Sequence, residues 1–260
     1  MRTLPVFVGI DVACAKRRRL PICFAALDDG RLKPLELSQS LTSELPLGTG
    51  NGEIAERHPF RAHVQNLVTA LERIEVESGW QIVRVAIDAP AAPPPFGVRE
   101  SEQALRKETL SCIQTPPVTA WAKIRDACVA YLQDGGALNR LPYANMIWML
   151  YGFEIFRVLR AQGRAEVIEV YPQAIVRRLL GNVCPHKSTE SGYRKQLDVI
   201  AKKTQWSVGQ LEAALARVVP GTRHDRLDAF MSAWVASLER KDRRAYGRES
   251  DPDDAIWIPS

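Results

Sequence analysis

The sequence predicts an α/β fold, a mixed sheet covered on its faces by helices. Three observations carry that prediction. Short apolar runs at 4–11, 82–87 and 167–171 alternate with stretches of helical periodicity, the pattern of strands crossed over by helices. Two further apolar runs, 20–27 and 32–37, flank Asp28-Asp29-Gly30, a hairpin signal that makes part of the sheet antiparallel. The 260 residues are 46% hydrophobic and 25% charged, which excludes a disordered or collagen-like chain and fits one domain carrying a sizeable insertion.

Taken in order, 4–11 reads as a buried strand that stops at Asp11, and the hairpin supplies the next two strands. Residues 38–59 are polar and rich in Gly, Ser and Thr, and read as a long loop. The glycines at 48–52 lack the Lys-Ser/Thr of a phosphate-binding loop. Over 62–77, Val64, Leu67, Val68, Leu71 and Ile74 recur at helical spacing. The strand at 82–87 ends in Asp88-Ala-Pro90. From 91 to 162 the pattern is mainly helical, broken at Pro116-Pro117 and Gly135-Gly136. There Trp148, Tyr151, Phe153 and Phe156 suit a core or a dimer contact. The strand at 167–171 carries Glu169 near its end. Helical patterns then run to about 244, and 245–260 reads as a polar tail closing on Ala255-Ile-Trp-Ile-Pro259.

The 35 basic and 30 acidic residues leave a net charge of +5, compatible with a polyanionic partner without requiring one. Five cysteines (Cys14, Cys23, Cys112, Cys128, Cys184) are scattered with no Cys-x-x-Cys, and His58, His63, His186 and His224 have no zinc spacing. A reduced, cytoplasmic setting is expected. No run approaches the roughly 20 apolar residues that span a bilayer, so no membrane partner is expected.

Asp11, Asp88 and Glu169 each stand near the C-terminal end of an interior strand, the edge where open α/β sheets place their sites. A late helix beginning Thr222-Arg-His-Asp225-Arg-Leu-Asp228 adds two more acids. At about 100° per residue, Asp225, Asp228, Ala229, Ser232 and Ala236 share one face, and Leu227, Phe230, Met231, Trp234 and Leu238 the other. The small-residue face predicts close approach to the sheet, carrying Asp225 and Asp228 to its carboxylate edge. Such a cluster suits Mg²⁺ or Mn²⁺, hard cations that take oxygen ligands. Two of them about 3.5–4 Å apart activate a water and stabilise a leaving oxygen. Without metal, the acids would repel and take up a proton. Asp225 also has a simpler reading, as the third residue of a capping box opened by Thr222.

The ordered motifs Gly-Ile-Asp11, Ile-Asp88-Ala-Pro, Glu169-Val-Tyr-Pro and His-Asp225-Arg-Leu-Asp228-Ala resemble the domain-of-unknown-function 429 family, predicted RNase H-like nucleases. Agreement extends to Arg99-x-x-Glu102-x-x-Leu105-Arg106, Gly192-Tyr193-Arg194 and the closing Ile-Trp-Ile-Pro. The resemblance implies a single ribonuclease H-like domain: a mixed five-stranded sheet flanked by helices, with a helical insertion, about 97–162, before the last core strand. It also implies a metal-dependent hydrolase acting on nucleic acid. Its metal-binding acids carry over to Asp11, Asp88, and Asp225 with Asp228, and Glu169 joins them as a catalytic candidate. Position 88 holds Asp where many resolvases of the superfamily have Glu, which shortens its reach.

Lys16, Arg99, Arg106 and Lys187 are candidates to hold a phosphate or a neighbouring acid, although the run Lys16–Arg19 also reads as a solvated loop. The expected activity is nuclease or phosphodiesterase, and a second copy of the chain is a further candidate partner, in a homo-oligomer. The alternatives are a catalytically silent binding module and a phosphotransferase of the actin/hexokinase type. The latter needs a Gly-rich loop where Asp11 is followed by Val-Ala-Cys-Ala-Lys.

Overall fold

A computed structural model describes residues 3–12, 16–48, 50–55, 59–110, 113–181 and 186–260. Cys14, Cys112, Cys184 and His58 lie outside them; Cys23 and Cys128 are buried free thiols. Strands β1 (Leu4–Asp11), β2 (Ile22–Asp28) and β3 (Arg31–Pro34) form an antiparallel meander. The stretch expected to be a loop holds two short helices, α1 (Gln39–Glu44) and α2 (Asn51–Ala55). Too short to show a period, α1 is started by the Ser38 hydroxyl, which accepts from Leu41 N. Helix α3 (Pro59–Ser78) leads into β4 (Trp80–Asp88).

The insertion comprises α4 (Glu100–Lys107), α5 (Trp121–Gln133), α6 (Ala144–Ile147) and α7 (Met149–Gln162), and is followed by β5 (Glu166–Val170). Tyr151 and Phe156 are fully buried within it, and Phe153 meets Trp121 edge-on at 5.4 Å between ring centres. Helices α8 (Pro172–Leu180), α9 (Glu190–Lys203), α10 (Val208–Val218) and α11 (Arg223–Ser237) come next, then β6 (Arg243–Gly247) and β7 (Ala255–Pro259).

The sheet has seven strands among the described residues, in the order β3-β2-β1-β4-β5-β7-β6, rather than the five expected. The extra pair comes from the segment read as a polar tail. Its polarity belongs to the connection between two strands, whereas Ala255–Pro259 is buried along its length and pairs in parallel with β5. β1, β4, β5 and β7 run parallel, and β2, β3 and β6 lie antiparallel to their neighbours.

Two cores sandwich the sheet. Val6, Val8, Ile10, Ile82, Val85 and Ile87 meet α3 and α7 on one side. Cys23, Ala25, Ala86, Ile168 and Val170 meet α8–α11 on the other. Between β1 and β4 the register slips once: Val6 pairs Ile82 but Phe7 pairs Arg84, leaving Val83 as a bulge residue. Beyond it the pairing is regular to Asp11 beside Asp88.

Candidate functional site

Asp11 and Asp88 are register partners at the C-terminal ends of adjacent parallel strands, so their side chains leave the sheet on the same side. Two residues back, Gly9 faces α11. A Cβ on Gly9 would lie 2.0 Å from Ala229 O and 2.3 Å from Ala233 N, so only glycine admits the helix at this depth. The small-residue face thus lies directly on the sheet, and α11 is buried from Leu227 to Ala236. That contact brings Asp228, 2% exposed, to the edge where Asp11 and Asp88 end.

Asp225 sits one turn earlier and makes the capping box with Thr222, whose backbone N–H donates to Asp225 Oδ2 at 3.1 Å. His224 Nδ1 lies 2.8 Å from its other oxygen. Asp225 therefore caps α11 while adding negative potential beside Asp11 and Asp228.

Three desolvated acids in one place repel. Burial first, then Asp88 and Asp228, push the Asp11 carboxyl well above the usual carboxylate range. Burial and Asp228 likewise push Asp88 up to about 7. Asp228 is also raised by burial, against the pull of Lys187. Lys187 Nζ donates to Asp228 Oδ2, and the three acids hold the ammonium group's pKa up despite its burial.

The position of Lys187 comes from the start of α9. Thr189 caps that helix by accepting from Gly192 N at 3.0 Å, and a Cβ on Gly192 would lie 2.0 Å from His186 O. Gly192 thereby lets the 186–188 turn fold against the helix and present Lys187 to the acids. As the side chains stand, no group of three His, Cys, Asp or Glu among the described residues is placed to hold a metal ion. The ammonium serves as the counter-charge. The donor set itself, three carboxylates without sulfur or imidazole, suits a hard divalent cation.

The sequence matches the family described as "Protein of unknown function (DUF429)" over residues 9–251. The chain belongs to DUF429. The matched span takes in Asp11, Asp88, Lys187, Asp225 and Asp228, all the residues of the acidic edge. No curated protein and no solved structure matches this DUF429 chain. No described helix is long and apolar enough to cross a membrane.

Glu169 in the DUF429 chain leaves the sheet on the other side from the three aspartates, yet stands close enough to Asp88 to raise its carboxyl and lines the same cavity. Its register partner is Ile87, on the α3/α7 side of the sheet, so Glu169 points to the face opposite Asp11 and Asp88. There it is buried in a fork with Arg99, Nη1 to Oε1 at 2.8 Å and Nη2 to Oε2 at 2.6 Å, and also accepts from Ala91 N at 2.7 Å. Arg99 Nη2 donates further to Asp253 O. Of the basic candidates, Arg99 and Lys187 thus each hold an acid. Lys16 is exposed and pairs with Glu53 at 3.2 Å, and Arg106 is exposed near Gln114.

Two acids of this second network were not singled out from the sequence. Asp254 accepts from Glu100 N at 2.9 Å and Ser101 N at 3.0 Å, capping α4 from the far end of the chain. Glu102 is 1% exposed and accepts from Thr115 N at 2.9 Å. Glu102 stood within the Arg99-x-x-Glu102 motif, the one signal that marked it; Asp254 lay in the supposed tail.

Proposed function

We propose that the chain is a divalent-metal-dependent phosphodiesterase of nucleic acid on a ribonuclease H-like core. The observation that carries this reading is the pairing of Asp11 with Asp88 at one sheet edge, joined there by Asp228 from a helix that only Gly9 admits. The fold supports it too. Strands β3-β2-β1-β4-β5, a meander followed by two parallel strands, fit the expected five-stranded core, with β7 and β6 added beyond.

In this reading Asp11, Asp88 and Asp228 hold Mg²⁺ or Mn²⁺, with Asp225 one turn behind. The bound cation would supply Lewis acidity for activating water and stabilising a leaving oxygen. The chain's own residues do the rest. The carboxylates lose their protons on loading, and Lys187, released from Asp228, becomes counter-charge for a phosphate. The surplus positive charge of the chain favours a polyanionic substrate.

The test is a cleavage panel of single-stranded, duplex, hybrid and branched DNA and RNA with Mg²⁺ or Mn²⁺, alongside melting curves. Wild type should cleave at least one substrate and gain Tm with metal, and Asp11→Asn and Asp228→Asn should lose both effects. No cleavage with either metal, or unchanged cleavage in both variants, would sink the reading. A second reading, a silent binding module, is favoured by the Lys187–Asp228 pair, which neutralises the site without metal. It predicts nucleic-acid binding that is indifferent to metal.

A further inference from the structure

On the α7 side of the sheet edge lies a cavity of about 390 Å³, counting the space at its mouth. Asp88, the central acid of the proposed site, stands on its wall, so the cavity and the acidic edge adjoin. Trp148, Tyr171, Met149 and Ile113 give it flat, largely apolar sides. Glu102 lines it as well. Oε1 of this buried carboxyl is taken by Thr115 N–H, but Oε2 has no hydrogen-bond partner.

A buried polar oxygen left unpaired costs free energy whichever way the group is protonated, so a partner from outside the chain is called for. Thr115 bonds the carboxyl through both its N–H and its side chain, and still Oε2 is left without a partner of its own; the neighbouring ion pairs do not supply one. Arg99 is committed to Glu169 and Asp253 O, and its Nη1 remains 3.9 Å from Glu102 Oε1. A ligand that brings an N–H group to the carboxylate form, lies flat between the aromatic and aliphatic side chains and extends towards Asp88 would supply that partner.

We propose that this cavity receives a nucleobase of the substrate, with Glu102 Oε2 accepting an N–H from the base's Watson–Crick edge. The inference rests on the phosphodiesterase reading for the identity of the ligand and adds to it a base-binding element. Enzymes that handle a base outside the stack read it in this way, by a few edge hydrogen bonds between aromatic or apolar walls. Stacking on an aromatic tolerates any base, and every common base carries at least one N–H on its Watson–Crick edge. The site would thus admit any of them, and would need an unpaired base next to the phosphodiester at Asp88.

The experiment titrates the full chain, without metal, with each of the four 5′-mononucleotides and with ribose 5-phosphate. The NMR signal of the Trp148 indole N–H, assigned by its loss in Trp148→Phe, is followed. At least one mononucleotide should shift it saturably, and ribose 5-phosphate should not. Glu102→Gln places an NH₂ where the acceptor was and should weaken that binding at least tenfold. Should Glu102→Gln fail to fold, Ile113→Trp fills the cavity from its exposed mouth and should abolish the shift. Absence of a shift with all four nucleotides overturns the proposal. So does an equal shift with ribose 5-phosphate, or binding unaffected by both variants. Cleavage without nucleotide binding overturns the cavity alone; nucleotide binding without cleavage supports the cavity and overturns the nuclease.

Discussion

Asp88 shows how one residue carries both a liability and a use. Its ordinary value of 3.8 is raised to about 7 by burial and by Asp228. Between those two pH values the folded chain keeps a proton that the unfolded chain has released, so this group's contribution to stability falls as pH rises through the window. Above about pH 7 the full penalty is present, and below the ordinary value it vanishes. In metal-free buffer, Asp88→Asn is therefore expected to melt close to wild type at pH 4. It should melt a few degrees higher at pH 8, with the gap opening between the two; at about 2–4 °C per kcal/mol, that is a gain of about 1–2 kcal/mol. A gap independent of pH would show that Asp88 is not desolvated among like charges. If the acids hold Mg²⁺ as proposed, saturating Mg²⁺ should close or reverse the difference, since the cation would make the charged form the favoured one.

Among the elements, α11 is the one on which the site depends. Gly9→Ala would drive a methyl group to within 2.0 Å of Ala229 O, and a helix backbone has no rotamer with which to yield. The expected loss is about 3 kcal/mol or more, beyond an ordinary overpacked core, measured by urea unfolding. On the proposed metal reading, stabilisation by Mg²⁺ should go with it, because Asp228 is displaced. This contact was legible in the sequence. The apolar runs ending at Asp11 and Asp88, and the small-residue stripe Ala229, Ser232, Ala236, each follow from one periodicity. What was not legible was the direction of Glu169. In a strand buried on both faces, Val167, Ile168 and Val170 give no polar side against which to phase it, so its alternation left the face open. Lys187 was marked as a base that would hold a phosphate or an acid, but only the turn against Gly192 decides for Asp228. The short helices at 39–55 and the strand pair at 243–259 were missed for a related reason: local polarity there reflects caps and connections, and burial is settled by distant partners.

At the scale of the molecule, the last strand closes two networks at once. Ile256, Trp257 and Ile258 enter the α8–α11 core, and Asp254 just before them caps α4 and approaches Arg99 Nε at 3.6 Å. Removing residues 251–260 should therefore do more than fray an end. Loss of even one large buried aromatic costs about 3–5 kcal/mol, and an Arg left buried among mismatched acids adds to it. The truncated chain is expected to lose its cooperative thermal transition by circular dichroism. A truncation that melts like the full chain would show that β7 is an appendage. The Arg99, Glu169 and Asp254 network thus joins the insertion, the central sheet and the C-terminal strand beneath the cavity at Glu102.

The bulge at Val83 bears on how the chain tolerates changes of length. Ile82, Val85 and Ile87 all enter the same core although 82 and 85 differ by an odd number, because the bulge resets the alternation between them. Pairing is already in step on both sides of Val83, so the strand holds one residue more than its partner requires. Deleting Val83 should leave Asp88 beside Asp11, with metal-induced stabilisation intact. Deleting Val85, past the bulge, lets Val83 join the ladder and also leaves Asp88 beside Asp11. It turns Arg84 into the core position that Val85 held, however, so the same shortening should cost about 3 kcal/mol or more of stability. The bulge therefore makes β4 tolerant of one deletion in register, and the position of that deletion decides which side chain the core must accept.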